Sequence, residues 1–379
     1  MAMLFMESFS GLNPYILTQV GKWLPEGNTL FYTGVATHRT GVGHAWAFKA
    51  YGWPTYIMEP YGKVDLGTNQ GVVIIGVAAR LTEGWDVGNF FLRLTDAVGV
   101  PQLLMRFDAF MHPIVVRNDG TTLLTFAEPM FLGRWHYLEF AMKIHSTAGW
   151  IEGRLDTYSA GGGVYYGTTG TNRGNANGNT RYSSSTLNSA RYLSIGTQSY
   201  VDGARGTIEM SDLVVMNDVI QSPLCPNNDF LGDIRVVISE TIGPGAHTDF
   251  AIGGSSPAAT NWQSVNVIPL PGDVKFVQSN LVGEMDTYEV ADLPPSTISV
   301  YAISVGTVAR KADAGPRSLA PVIRWDGAPG SPMDLALGSG APLQDTYAYK
   351  GGILETRPDG AAWTDVDVND LEVGMTVTI

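Results

Sequence analysis

At 379 residues the chain exceeds one ordinary domain of ~100–200 residues and implies two or three, each large enough to bury its own core. Charged residues make up 16% of it against a usual ~25%, with 45 glycines and 21 prolines, which excludes a mainly helical or coiled-coil protein and favours β structure with short turns. The net charge of −13 is uneven: residues 1–220 hold 15 Lys and Arg against 17 Asp and Glu, residues 221–379 hold 8 against 19, and so acidic a chain excludes nucleic acid as a partner.

The start, MAMLFMESF, has a short apolar run but no basic stretch before it, and Glu7 interrupts it too early for a secretory signal. The segment 41–59 concentrates Trp46, Phe48, Tyr51, Trp53 and Tyr56; a sandwich core and an aromatic sugar platform around Trp46 and Trp53 are both open readings. The longest apolar run, 71–79, is half a membrane span and reads as a buried strand, so no membrane insertion is expected. Further short strands are expected at 71–80, 90–94, 102–108 and 121–126, separated by Gly, Pro, Asn and Asp clusters.

Residues 130–157, MFLGRWHYLEFAMKIHSTAGWIEGRLDT, carry the clearest period. Trp135, Tyr137, Phe140, Met142 and Ile144 alternate with polar residues, Ser-Thr-Ala-Gly breaks the run, and Trp150, Ile151 and Leu155 resume it, which predicts a β-hairpin with one wet face. Between 159 and 186 lies GGGVYYGTTGTNRGNANGNTRYSSS, with almost nothing to bury. It reads either as a mobile hairpin tip or as a contact loop using Tyr165, Tyr166, Arg173, Arg181 and Tyr182, since Tyr and Arg anchor interfaces.

Strands follow at 192–196 and 206–216. QSPLCPNN then breaks the pattern, so we expect a domain at 1–220, a short Pro/Asn linker at 221–230 and a second domain at 231–379, opening with the strand GDIRVVIS at 232–239. Its further strands are expected at 297–308, 320–325, 346–353 and 373–379. Fold class is therefore all-β: two β-sandwich, jelly-roll-like domains. Cys225 is the only cysteine, which rules out an intrachain disulfide or a Cys-rich zinc site and fits folding in a reducing cytoplasm.

Three sets of residues bear on chemistry. GEMDTYEV at 283–290 sets out Glu284, Asp286 and Glu289 in an order that resembles the catalytic carboxylates of laminarinase-type glycoside hydrolases. In a regular strand Glu284 and Asp286 share a face and Glu289 takes the other, whereas a retaining hydrolase needs its pair ~5–5.5 Å apart on one face. No catalytic residue is assigned; a dyad of Glu139 with Glu152 or Asp156 stays open. Asp365-Val-Asp-Val-Asn-Asp370 imitates a calcium loop but lacks its glycine and its final Glu, and alternating acids and valines read as a strand. Histidines 38, 44, 112, 136, 145 and 247 show no ligand spacing and read as surface residues, so neither metal nor cofactor is expected.

Three stretches of the first domain resemble the concanavalin A-like, laminin G-type jelly roll: Glu7-Ser-Phe-Ser-Gly11, Gly133-Arg-Trp-His-Tyr-Leu-Glu139 with Trp150-Ile-Glu-Gly-Arg-Leu-Asp156, and residues 206–216. Beyond it, Asn228-Asp-Phe-Leu-Gly-Asp-Ile-Arg235, Ala309-Arg-Lys-Ala-Asp-Ala-Gly315 and Ala362-Trp-Thr-Asp-Val-Asp-Val-Asn369 resemble a two-domain family of tailed-bacteriophage virion proteins. That resemblance implies a non-enzymatic tail or fibre component, made in the host bacterial cytoplasm and carried on the virion. It further implies contacts with other virion proteins, a homo-oligomer (a trimer by analogy with fibres) and contact with a host surface glycan. A head or collar decoration protein and a polysaccharide-degrading jelly-roll enzyme are the alternatives.

Overall fold

Period-two alternation turns into strand register throughout. The computed structural model describes residues 3–9, 22–25, 33–37, 44–51, 62–82, 90–158, 164–165, 173–196, 205–219, 229–266, 272–295, 297, 299–326, 332–337 and 340–379. At 25, 33–37, 44, 49–51, 156–158, 164–165, 173–176 and 205 it describes backbone alone. The chain divides into two compact units.

In chain order the strands of the first unit are β1 (Met3–Glu7), β2 (Leu24–Pro25), β3 (Thr33–Thr37), β4 (His44–Tyr51), β5 (Gly62–Gln70), β6 (Val72–Leu81), β7 (Phe90–Thr95) and β8 (Pro101–Phe107). There follow β9 (Pro113–Arg117), β10 (Thr122–Thr125), β11 (Trp135–Lys143), β12 (Gly149–Tyr158), β13 (Val164–Tyr165), β14 (Arg173–Gly178), β15 (Ala190–Ile195) and β16 (Arg205–Met216). They form two antiparallel sheets. One runs β13-β12-β11-β6-β16-β4-β3, with β1 on β16 and β14 on β12; the other runs β10-β9-β8-β7-β15-β5-β2.

The sheets meet through aromatic side chains. Phe140 of β11 packs on Phe91 of β7 (ring centroids 6.3 Å) and edge-on against Phe126 (5.5 Å), while Phe91 stacks on Phe107 (4.9 Å). Gly153, opposite Phe140 in the register, leaves room for this: a Cβ there would lie 2.3 Å from the Phe126 ring. A second cluster joins Phe9, Trp23 and Trp46, with Trp46 4.6 Å from Phe9 and 6.0 Å from Trp23.

The β11–β12 hairpin forms as expected, but it has no wet face at its centre. Leu138, Phe140 and Met142 point into the sandwich, and Tyr137, Glu139 and Ala141 on the other face are buried too. The cover is residues 229–236, expected as linker and first strand of the second domain. They form no strand, and Asn227–Val236 belongs to the first unit. The Gly232 N–H donates to Glu139 Oε1 (2.9 Å), the Val236 N–H donates to Asp212 Oδ1 (2.8 Å), and Phe230 lies 4.4 Å from the Arg154 guanidinium. Asp212 reaches its partner because β16 bulges between Ser211 and Val214, with Asp212 itself at φ 52.

The second unit covers Val237–Ile379, and Lys22 groups with it. Its strands are β17 (Thr241–Thr248), β18 (Ala251–Gly253), β19 (Phe276–Gln278), β20 (Met285–Val290), β21 (Ile303–Ala309), β22 (Ser318–Trp325), β23 (Met333–Ala336), β24 (Ala341–Pro342), β25 (Ala348–Leu354) and β26 (Glu372–Val377), with helices α1 (Asn261–Val265) and α2 (Asp365–Asn369). A main sheet runs β17-β20-β26-β22-β23, with β24 on β22. Ribbons β18–β19 and β21–β25 accompany it. Val305, Ile323, Trp325, Trp363, Val368 and Leu371 form one core cluster; Phe250, Leu319 and Val377 form another.

Residues 365–369, expected as a strand, are helix α2. Thr364 accepts from the Asp367 N–H, and Asp367 accepts from the Thr364 N–H, a reciprocal cap that satisfies two otherwise orphan donors. Val368 then faces the core. Among the described residues no helix is long and apolar enough to cross a membrane.

His136, expected at the surface, is fully buried. Its Nε2 accepts the Phe131 N–H at 3.0 Å, and burial pushes the imidazole down to about 4, with Arg134 nearby acting in the same direction. A folded pKa below the unfolded value of ~6.5 means stability is whole above pH 6.5 and falls as the pH drops towards 4. Between pH 7 and 5 this group should remove about 2 kcal/mol of unfolding free energy. Urea unfolding of the wild type and of His136→Phe at both pH values checks this: the variant should lose that much less.

Candidate functional site

The three carboxylates of GEMDTYEV lie on and beside β20, which sits between β17 and β26. Asp286 and Tyr288 face the core side of the sheet, in register with Met375 and Val373 of β26. Asp286 is fully buried and accepts from the Phe250 N–H (2.8 Å), Asn261 Nδ2 (2.6 Å) and the Tyr288 hydroxyl (2.9 Å). All these donors are neutral, and burial outweighs them, holding the Asp286 carboxyl above its usual range and pushing the Tyr288 phenol up as well.

Glu289 is exposed and faces the other way, directly across from Glu372. Glu284 precedes the strand and accepts from the Ser279 hydroxyl. The sheet therefore separates Asp286 from Glu289 by its own thickness, against the common face a retaining hydrolase needs. Asp286 acts as a clamp, tying the turn at Phe250 and helix α1 to β20. Asp286→Ala should strand three donors and destabilise the second unit by about 3 kcal/mol or more, whereas Glu289→Gln should stay within ~0.5 kcal/mol. Denaturant unfolding of both variants checks the contrast.

The alternative acids lie on the β11–β12 hairpin. In the β11–β12 register Glu139 stands opposite Arg154, Glu152 opposite Ala141 and Asp156 opposite Tyr137, which makes Arg154 the direct cross-strand neighbour of Glu139. Arg154 Nη1 lies 3.9 Å from Glu139 Oε2. On the same sheet face Arg80 pairs with Glu209 (2.5 Å) and lies 5.0 Å from the Trp135 ring. Sequence reasoning did not anticipate residues 229–236 here, because their partners are distant in the chain. Gly232→Pro removes the donor to Glu139 and cannot adopt the φ of 79 found there. It should destabilise the first unit by about 3 kcal/mol and speed proteolysis within 229–236, read by urea unfolding and limited digestion.

The expected contact loop is only partly a loop. Residues 164–165 and 173–178 are strands β13 and β14, both paired to β12, with Arg173 opposite Arg154 in the backbone register. Tyr165 lies in β13, Tyr166 lies outside the described residues, and so do Trp53 and Cys225. Trp46 is 1% exposed inside the cluster with Phe9 and Trp23, which leaves it no face for a sugar ring.

Arg181 and Tyr182 are half-buried on a turn braced at several points. Arg117 Nη1 donates to the Asn179 C=O (3.0 Å), Thr180 Oγ1 to the Lys143 C=O (2.6 Å) and the Tyr182 N–H to Gln102 Oε1 (3.0 Å). Ser185 Oγ donates to the buried Asp96 (2.5 Å), which also accepts from Gln102 Nε2 (3.2 Å). Arg181 reaches Thr186 and Asn188 through Nη1 (3.4 and 3.3 Å). The brace fixes the backbone under these two side chains before any ligand arrives.

Among the described residues no group of three or more His, Cys, Asp or Glu could hold a metal ion. In particular Asp367 is engaged by Arg357 (3.0 Å) and by the helix cap.

No family model matches the chain, and no curated protein matches it. Solved structures similar to it include the cellulose-induced protein Cip1, at 15% identity over 56% of this chain and 96% of that one, with a TM-score of 0.37. Lectin I from Ulex europaeus, in complex with the methyl glycoside of α-L-fucose, is 10% identical over 56% of this chain and 97% of that one, with a TM-score of 0.30. The alginate lyase from Corynebacterium sp. is 12% identical over 51% and 86%, with a TM-score of 0.32. By its own sheets and cores the chain is an all-β protein of two antiparallel β-sandwich units.

Proposed function

We propose that the chain is a non-enzymatic structural protein of a tailed-phage particle, a surface-exposed tail or fibre component that meets host glycan and otherwise binds other virion proteins. What supports the recognition part is the braced turn at 179–188. A half-exposed Arg and Tyr on fixed backbone suit a polar ligand that needs hydrogen bonds and a ring face, and a backbone ordered beforehand loses little entropy on binding.

The particle part rests on the resemblance of residues 228–235, 309–315 and 362–369. Each has a packing role: residues 229–235 cover Glu139, Lys311 holds the turn through Gly315 (3.1 Å), and Trp363 fills the second core. The non-enzymatic part is supported by Asp286, Asp96 and Glu139, each committed to hydrogen bonds that hold turns and segments in place.

Two measurements test the reading. Density for this chain at the tail tip or fibres in cryo-electron microscopy of the virion is expected; density on the head or collar would make it a decoration protein, and absence from the particle would overturn the proposal. A glycan array should give binding that Arg181→Ala and Tyr182→Ala each lower at least ~10-fold. Binding untouched by both would remove the turn from the proposal, and reducing-end release from the bound glycan would return the enzyme alternative.

A further inference from the structure

One end of the first unit carries three large apolar side chains out into solvent. Phe110, on the turn between β8 and β9, is 76% exposed; Phe131 and Leu132, between β10 and β11, are 47% and 54% exposed. The two segments are joined by a hydrogen bond from the Met130 N–H to the Met111 C=O (2.9 Å), so Phe110 and Phe131 flank a bonded pair.

Both segments are stiffly built. Asp108 Oδ1 accepts the N–H groups of Phe110 (2.8 Å) and His112 (2.9 Å), and its Oδ2 meets His112 Nδ1 (2.9 Å). Met111 holds φ 68, a left-handed conformation that costs a non-glycine residue energy and persists only where its surroundings enforce it. The Gly133 N–H donates to the Leu81 C=O (2.7 Å). Exposed apolar side chains on stiff supports are what a docking surface requires, since little order remains to be imposed.

The chemistry around the patch selects the occupant. The Phe131 ring is already stacked on His136 (centroids 6.1 Å) and contacted by the Arg134 guanidinium (5.6 Å), which makes it a poor platform for a sugar. Arg134 and Glu128 are exposed in the same 127–134 segment, and among the described residues neither has an ion-pair partner. Arg134 and Glu128 beside the apolar centre are complementary between copies: Arg134 of one copy can face Glu128 of the next. A chain of net charge −13 repels its own copies, and an Arg134–Glu128 pairing between them would offset that repulsion at this end.

We infer that this end of the first unit is a contact between copies of this chain. It assigns a surface to the homo-oligomer expected from the resemblance and does not depend on where the protein sits in a particle.

Sedimentation equilibrium of the full chain from about 1 µM to 0.5 mM tests it. Mass rising towards a dimer or trimer is expected. Phe110→Ser with Leu132→Ser should weaken association at least ~10-fold, Arg134→Glu should weaken it about as much, and adding Glu128→Arg to Arg134→Glu should restore it. These side chains are exposed, and the charge reversals leave the apolar residues in place, so a misfolded serine variant does not decide the matter. A monomer at every concentration, association indifferent to the variants, or failure of the double reversal to restore it would each overturn the inference.

Discussion

The first unit depends on keeping a carboxylate in the middle of a covered sheet face. Glu139 sits there because β11 alternates strictly, and an acid at that position must point away from Phe140 and Leu138. Removing a carboxylate from water costs several kcal/mol unless donors replace the water. The Gly232 N–H donates to one oxygen, and the Arg154 guanidinium, 3.9 Å from the other, offsets the charge. The rest follows from this requirement: residues 229–236 stay with the first unit, Phe230 covers the guanidinium, and the β16 bulge turns Asp212 towards the Val236 N–H.

The second unit meets a similar requirement with different chemistry. Asp286 is also buried on a central strand, but its donors are a backbone amide, a side-chain amide and a phenol, none of them charged. Burial therefore dominates, and its carboxyl is held high. Glu139 joins a segment to a sheet with help from a cation; Asp286 joins a turn and a helix to a strand without one. In both, the acid joins parts of the fold that are distant in the chain.

Much of this architecture was legible because strands of alternating hydrophobicity dominate the chain. Val72–Leu81, Trp135–Lys143 and Arg205–Met216 lie where their residue patterns put them. Two misreadings have a common cause. GDIRVVIS at 232–239 has the composition of a strand, but two of its amides, Gly232 and Val236, are taken by Glu139 and Asp212, 93 and 24 residues away, and no local pattern signals a partner so distant. Asp365 to Asn369 alternates like a strand as well; the deciding signal was Thr364 with Asp367 three residues on, a cap that starts a helix. His136 looked like an exposed polar position in an alternating strand, and its burial follows from the Phe131 segment folding over it. The split of Asp286 from Glu289 was readable from parity along a strand; the neutral donors around Asp286 were not, since two of the three come from other elements.

The placement of 229–236 also settles where the polypeptide can be divided. The proline- and asparagine-rich run at 221–228 invites a cut there, as composition alone would advise. A fragment ending at 220 would keep every strand of the first sandwich and still expose Glu139, Asp212 and Arg154 on a face built to be covered. One ending at 236 carries its own cover. The natural seam between the two halves therefore lies after Val236, downstream of the proline-rich run, and residues 229–236 belong with what precedes them.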